Sequence, residues 1–219
     1  MKTKLLSFSL LIIFTFQSQI HAQVVTSELV PIRELIPNIV LDLKYASTDN
    51  VFNNQKLYTT NECYVLKDLA IRLMVIQDSL NKIRTLNGRG YPQGIGLKIW
   101  DGYRPRAIQY IMFEIFPDPT FVANPVSGSG HNRGGAVDLT LINLATGEEL
   151  PMPTDFDDFS DAASHNYPSN LLPANVVFNR EFLKSIMIQV GGLDYYSAEW
   201  WHYQLSNNKD YPLLDFQMK

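Results

Sequence analysis

Apolar residues in this chain recur with helical spacing in some segments and with strand spacing in others. Steps of three and four residues predict three helices, at 66–83 before Asn87-Gly88, after Pro105, and from a cap at Asn179 to 190. Strict alternation predicts strands at 95–99 and 137–141, and the last strand is predicted at 200–205. These segments do not repeat as the strand–helix units of a parallel doubly wound sheet. We therefore predict an α+β fold, a single domain with a central antiparallel sheet flanked by helices.

Composition indicates a folded globular chain and excludes several classes of protein. The 219 residues are 46% hydrophobic and 18% charged, which is enough to bury one core. Acidic residues outnumber basic ones, 22 to 18, so we predict no nucleic-acid partner. The single cysteine, Cys63, excludes an intrachain disulfide and is interpreted as a packed thiol without a role.

The first 22 residues are typical of a secretory signal peptide. Lys2 and Lys4 precede an apolar run at 5–16, and Ala22 is a small residue before the predicted cut. We expect 1–22 to be removed and 23–219 to form the mature domain of an exported, periplasmic protein. No later segment has the length and apolarity of a membrane span.

Two of the three histidines that remain after the cut lie near other residues that can bind a metal. His131 is followed by Gly134-Gly135 and by Asp138 on a predicted strand, and His202 lies near the C-terminal end. Two imidazoles and one carboxylate can hold a catalytic zinc ion and leave a fourth position for water. His131 and Asp138 can converge if the Gly134-Gly135 turn brings the loop back onto the strand.

Glu199 precedes His202 by three residues. On a straight strand the two side chains would point to opposite faces, so both can reach one metal only across a bend. Glu199 would then be a general base for the attacking water, and the adjacent Trp200 and Trp201 would exclude solvent. Each of these spacings alone more often marks a hydrogen-bonded structural pair, and the helical zinc-protease motif HExxH is absent.

Three longer motifs together resemble those of the zinc D-alanyl-D-alanine dipeptidases, the VanX-like D,D-dipeptidases. They are Asp101-Gly102-Tyr103-Arg104-Pro105, Ser129-x-His131-x-x-Gly134-x-Ala136-x-Asp138-Leu139-Thr140 and Glu199-Trp200-Trp201-His202-Tyr203. The resemblance extends from about Leu41 to Phe216. It implies that 23–219 is the catalytic domain of a zinc metallopeptidase with one Zn²⁺ per chain on its sheet. The implied reaction is hydrolysis of D-alanyl-D-alanine, and the predicted export indicates a role in the salvage or remodelling of cell-wall peptides.

The resemblance also implies a role for each matching residue. It makes His131, Asp138 and His202 the zinc ligands, Glu199 the catalytic base and Arg104 the group that steadies the charged carbonyl oxygen. A guanidinium suits that task because it stays charged and donates in a fixed fork. The resemblance further implies three substrate contacts: Ser129, Asp157 for the free ammonium, and Tyr45 at the pocket wall. His165 lacks a carboxylate at metal spacing and is interpreted as a structural or supporting residue.

Two other functions remain open from the sequence. One is a D,D-carboxypeptidase that acts on peptidoglycan stem peptides, and the other is a zinc-containing binding protein without turnover. Glu199 and Arg104 argue against the second, because structural zinc sites are normally closed by four protein ligands. The small D,D-dipeptide is the favoured partner, and the sequence predicts no oligomeric state.

Overall fold

A computed structural model describes residues 28–218. The three helices in this part of the chain are α1 (Lys67–Leu80), α2 (Arg106–Ile115) and α3 (Ala174–Gln189). The strands are β1 (Leu29–Pro31), β2 (Val40–Leu41), β3 (Tyr64–Leu66), β4 (Thr85–Leu86), β5 (Arg89–Gly90), β6 (Ile95–Asp101), β7 (Ala136–Asn143), β8 (Asp194–Tyr195) and β9 (His202–Gln204). None of the helices between residues 28 and 218 is both long and apolar enough to cross a bilayer. The predicted signal peptide at 1–22 lies outside the described residues.

The centre of the fold is a five-stranded sheet in the order β2-β6-β7-β9-β8. The pairs β6–β7, β7–β9 and β9–β8 are antiparallel, whereas β2 pairs with β6 in parallel. The parallel edge forms because the chain between β2 and β6 passes through α1 and returns in the same direction, as a crossover requires. The α+β prediction is confirmed, and the sheet is mixed at this one edge.

The two longest strands lie in the hydrophobic core. Every residue of β7 is buried, as expected for a strand covered on both faces. Helix α1 contacts β6 through a buried stripe with steps of three and four residues, which consists of Leu69, Leu73, Ile76 and Leu80. The buried Gln77 accepts a hydrogen bond from the β6 backbone at Leu97 N (2.8 Å), which fixes the helix against the strand.

The prediction that the first helix extends to Asn87-Gly88 is wrong. Helix α1 ends at Leu80, and Asn87-Gly88 forms the two-residue turn between β4 and β5. Both turn residues have positive φ, +47° and +75°. Asn-Gly is the preferred pair for such a hairpin turn, and this local preference overrides the helical spacing that Ile83 continues.

The predicted cap at Asn179 is also wrong. Helix α3 begins at Ala174 after Pro173, whose restricted φ suits a helix start. Asn179 lies within the helix, is buried, and donates its Nδ2 hydrogen bond to Pro151 O at 2.9 Å. The last strand is shorter than predicted, because Trp200 and Trp201 form a turn before β9.

Candidate active site

The register of the central sheet aligns polar residues of three neighbouring strands. Asp101 on β6 lies opposite Asp138 on β7, and Asp138 lies opposite His202 on β9. His131 comes from the short 3₁₀ helix just before β7. Gly134 follows it with a φ of +70°, a conformation that glycine adopts without strain, and this turn returns the chain to the sheet.

The side chains of His131, Asp138 and His202 form a small triangle of potential metal ligands. His131 Nε2 lies 3.2 Å from His202 Nδ1 and 3.3 Å from Asp138 Oδ2, and Asp138 Oδ1 lies 3.0 Å from His202 Nδ1. Ligands on a tetrahedral zinc with bonds of about 2.0–2.1 Å are separated by about 3.3 Å. The donor types and their separations therefore fit one divalent cation of the size of zinc.

The tautomer of His131 is suited to binding a metal. Its Nδ1 lies 2.8 Å from the carbonyl oxygen of Gly102, which can only accept, so Nδ1 carries the proton and Nε2 has a free lone pair. Burial lowers the pKa of His131, but the carboxylates of Asp138 and Asp101 outweigh it and raise the pKa overall. Burial opposes the charge of Asp138, but the two imidazoles hold its pKa well below the usual range. The carboxylates of Asp138 and Asp101 therefore favour a positive charge at the triangle.

A turn before β9 brings Glu199 and His202 to the same side of the sheet. The turn has hydrogen bonds from Glu199 N to Tyr196 O (3.3 Å) and from His202 N to Glu199 O (3.4 Å). Glu199 Oε2 lies 3.8 Å from His202 Nδ1, and the carboxyl group is buried. This burial, together with the nearby Asp138 and Asp157 carboxylates, raises the pKa of Glu199 well above its ordinary value. A carboxyl group in this environment can both take and return a proton.

The guanidinium of Arg104 is fixed by its neighbours. Its Nε and Nη2 donate to Asp101 Oδ2 at 3.1 and 2.6 Å, and its Nη1 donates to Gln109 Oε1 at 2.9 Å. The Tyr58 hydroxyl also donates to Asp101, at 2.5 Å, and Asp101 is fully buried. Sequence reasoning missed the roles of Asp101 and Gln109, although Asp101 stands in the motif that contains Arg104.

Asp157 and Tyr45 meet across the cavity wall. The Tyr45 hydroxyl donates to the two carboxylate oxygens of Asp157 at 3.2 and 3.0 Å, and both side chains are buried. Burial, with a smaller effect of Asp138, raises the pKa of Asp157 to about 8. The nearby Asp155 and Asp161 are exposed, which distinguishes Asp157 from its acidic neighbours.

One cavity of about 510 Å³ unites these groups. All eight residues singled out from the sequence line it: Tyr45, Arg104, Ser129, His131, Asp138, Asp157, Glu199 and His202. Aromatic side chains of Phe121, Phe159 and Trp201 cover part of the wall. A triangle of potential metal ligands, a buried carboxyl group and a fixed guanidinium in one cavity are the groups that metal-assisted hydrolysis of a carbonyl–nitrogen bond would need.

Comparison with known proteins agrees with this chemistry. The family model described as D-Ala-D-Ala dipeptidase, of the M15 peptidases, matches residues 25–218. The chain belongs to this family. It is therefore a peptidase, and the resemblance seen in the sequence is confirmed.

Curated relatives cover most of the chain. D-alanyl-D-alanine dipeptidase of Escherichia coli (strain K12) is 34% identical over 189 residues, which are 86% of this chain and 90% of the relative. The enzyme of the same name from Enterococcus faecium is 35% identical over 208 residues, 85% of this chain and 96% of the relative. That of Streptomyces coelicolor is 33% identical over 204 residues, 82% of this chain and 92% of the relative.

Cys63 lies in the core of this M15 peptidase. It is buried, and burial raises the pKa of its thiol above the ordinary value, so the neutral form dominates. A side chain at Gly102 would come within 2.5 Å of the Cys63 sulfur, which shows how closely the motif before Arg104 packs on this residue.

His165 is buried beside Tyr195 and Tyr203, with ring centroids 5.0 and 6.3 Å away. Tyr203 neighbours His202 on β9, so the two side chains point to opposite faces of the sheet. Neither ring nitrogen of His165 has a hydrogen-bond partner among residues 28–218. Burial, with the cations of Lys184 and Arg180, lowers its pKa to about 3.

The low pKa of His165 predicts a loss of stability in acid. Between pH of about 6.5 and 3, the unfolded chain binds a proton at this residue and the folded chain does not. The free energy of unfolding therefore decreases as the pH falls through this window, by up to about 1.4 kcal/mol per pH unit, and is unaffected by His165 above it. The variant His165→Gln lacks this contribution, so wild type should lose stability relative to the variant on acidification. Urea unfolding of both proteins at pH 7, 5.5 and 4.5 measures this, and a difference that does not change with pH would refute it.

Proposed function

We propose that this M15 peptidase is a zinc-dependent dipeptidase that hydrolyses D-alanyl-D-alanine to D-alanine. The observation that carries the proposal is the triangle of His131, Asp138 and His202 beside Glu199 and Arg104 in one cavity. The curated relatives are named D-alanyl-D-alanine dipeptidases, which supports the same substrate.

The residues of the triangle would hold the zinc ion. Two imidazole nitrogens and one carboxylate are a common ligand set for catalytic zinc, whereas Mg²⁺ and Ca²⁺ prefer oxygen ligands. When bound, zinc lowers the pKa of a water ligand and polarises the peptide carbonyl. With one zinc per chain, the remaining groups of the cavity bind the peptide and move protons.

Glu199 is the group that moves the proton. Its carboxylate takes a proton from the attacking water and later gives it to the nitrogen of the leaving D-alanine. A raised pKa suits this double task, because the group must accept the proton in one step and release it in the next. Trp201, which lines the cavity, restricts solvent there and strengthens the electrostatic effects.

Arg104 stabilises the carbonyl oxygen as that oxygen gains negative charge. Its guanidinium is already oriented by Asp101 and Gln109, so no reorganisation is needed during the reaction. We assign the free ammonium of a dipeptide to Asp157 and Tyr45, which line the same cavity. Ser129 supplies a further polar contact at the wall.

The ammonium site predicts a preference for a free N-terminus. We expect Asp157→Asn to lower kcat/KM for D-Ala-D-Ala by about 100-fold, because it removes one partner of a buried charge pair. Hydrolysis of N-acetyl-D-Ala-D-Ala, which has no ammonium, should be slow in wild type and little changed by the substitution. The exposed neighbour provides the control Asp155→Asn, which should leave both rates unaltered. Equal losses for the two substrates in Asp157→Asn would refute the assignment.

A substrate comparison tests the proposed function. We expect the zinc-loaded protein to release D-alanine from D-Ala-D-Ala, with much slower turnover of L-Ala-L-Ala and of a pentapeptide ending in D-Ala-D-Ala. Faster turnover of the pentapeptide would favour a D,D-carboxypeptidase. Bound zinc without hydrolysis of any D,D-peptide would favour a binding protein.

We further propose that the enzyme is exported to the periplasm after removal of 1–22, where it serves the salvage or remodelling of wall peptides. The support is the order of lysines, apolar run and small residue at the start of the chain. N-terminal sequencing of the protein recovered from the periplasmic fraction should give a chain that starts near residue 23. A cytoplasmic protein that retains its first residues would contradict this.

A further inference from the structure

Asn132 lies between two residues that line the cavity, but its own side chain does not line it. His131 and Arg133 line the cavity, whereas the side chain of Asn132 is fully buried and bonded to the protein itself. We infer that Asn132 is a positioning residue, which orients Ser129 and fixes the loop of Arg104 relative to the ligand His131. The inference rests on the proposed function, because Ser129 and Arg104 act on the substrate only if that function holds.

The carboxamide of Asn132 connects two different loops. Its Oδ1 accepts hydrogen bonds from Ser129 N (2.9 Å) and from the Ser129 hydroxyl (3.2 Å). Its Nδ2 donates to Arg104 O at 2.9 Å. An asparagine can do both because a single planar group carries an acceptor and a donor, whereas an ionised aspartate is only an acceptor.

The contact with Arg104 fixes the distance between two parts of the catalytic machinery. Arg104 N donates to His131 O at 3.1 Å, and Arg104 O accepts from Asn132, so both backbone groups of Arg104 are bound to the 131–132 segment. Asn132 O in turn accepts from Leu214 N at 2.8 Å, which fixes this segment to the C-terminal part of the chain. These bonds hold the backbone of Arg104 against the segment that carries His131.

The contact with Ser129 determines whether Ser129 presents a hydrogen-bond donor or an acceptor to the cavity. The Ser129 hydroxyl donates its proton to Asn132 Oδ1, and its oxygen accepts from Asn132 N at 3.4 Å. One lone pair of the oxygen remains, and Ser129 lines the cavity. In this arrangement Ser129 presents an acceptor to an N–H group of a peptide substrate.

A double-mutant cycle tests the inference. We expect Asn132→Ala to lower kcat/KM for D-Ala-D-Ala by about 10-fold or more while zinc content stays at one per chain. Ser129→Ala should lower it in wild type, but should cost little further on the Asn132→Ala background, so that the combined loss falls short of the product by a factor of about 3 or more. On the Asn132→Asp background, which keeps the acceptor for Ser129, the loss from Ser129→Ala should be as large as in wild type.

Asn179→Ala is the control, because it also removes an amide–carbonyl hydrogen bond that a buried asparagine donates, on α3. It should lower the Tm and leave kcat/KM within about twofold of wild type. The inference is overturned if Asn132→Ala behaves like this control, or if Ser129→Ala costs the same factor on every background. If Asn132→Ala is insoluble, Asn132→Ser, whose side chain is too short to bridge both loops, takes its place in the cycle.

The wild-type rate separates the two proposals. A zinc-loaded wild type that hydrolyses no D,D-peptide contradicts the proposed function, and this inference with it. An active wild type together with an unaffected Asn132→Ala contradicts this inference alone.

Discussion

Replacing Glu199 with glutamine is expected to lower kcat for D-Ala-D-Ala by about 10²–10⁴-fold, the usual contribution of a general acid–base group. Glutamine has nearly the same size and can still donate and accept hydrogen bonds, but it cannot take a proton from water. The substituted group lies beside the triangle of His131, Asp138 and His202 without being one of its three members, so zinc content should remain at one per chain. Steady-state kinetics and metal analysis of the same preparation measure both quantities.

The control for this variant is Glu149→Gln, which removes a carboxylate from a surface ion pair with Lys98. Its kcat should equal that of wild type. Glu199→Asp, which keeps the carboxyl group but withdraws it by one methylene, should recover part of the activity lost in Glu199→Gln. Full activity of Glu199→Gln with zinc bound would show that another group transfers the proton.

Removal of the metal is expected to abolish turnover altogether. Dialysis against a chelator should reduce hydrolysis of D-Ala-D-Ala to background, and one equivalent of Zn²⁺ should restore it. His131 Nε2 and His202 Nδ1 lie 3.2 Å apart, and each lies 3.0–3.3 Å from a different carboxylate oxygen of Asp138, an arrangement that a cation would stabilise.

The same prediction has a matched pair of variants. His202→Ala should lose bound zinc and activity together, because it removes one vertex of the triangle. His165→Ala, which changes a buried histidine on the opposite face of the sheet, should retain both. Activity that survives the chelator, or zinc that remains bound in His202→Ala at wild-type affinity, would exclude this triangle as the metal site.

The parts of the fold that the sequence predicted correctly are those with strong local periodicity. The alternation at 95–99 and 137–141 corresponds to β6 and β7, and the spacing after Pro105 corresponds to α2. The assignments at Asn87-Gly88 and Asn179 were wrong because each signal suits two structures. Asn-Gly can follow a helix or form a hairpin turn, and an asparagine can cap a helix or lie within it. Their surroundings, a hairpin in one case and the carbonyl of Pro151 in the other, decided between them.

The sequence could not predict which site residues contact each other when they lie far apart along the chain. The motifs named the residues of the triangle, but only the register of β7 with β9 shows that Asp138 lies directly opposite His202. The partners of Arg104 were missed for the same reason. Asp101 and Gln109 have no periodic signal that marks them, and they contact the guanidinium because β6 and α2 meet at the motif between them.

A crystal structure of the zinc-loaded protein tests the central claim most directly. It should show one zinc ion bound by His131 Nε2, a carboxylate oxygen of Asp138 and His202 Nδ1, with water in the fourth position and Glu199 within hydrogen-bonding distance of that water. A fourth protein ligand on the ion, or zinc bound elsewhere in the chain, would contradict the account.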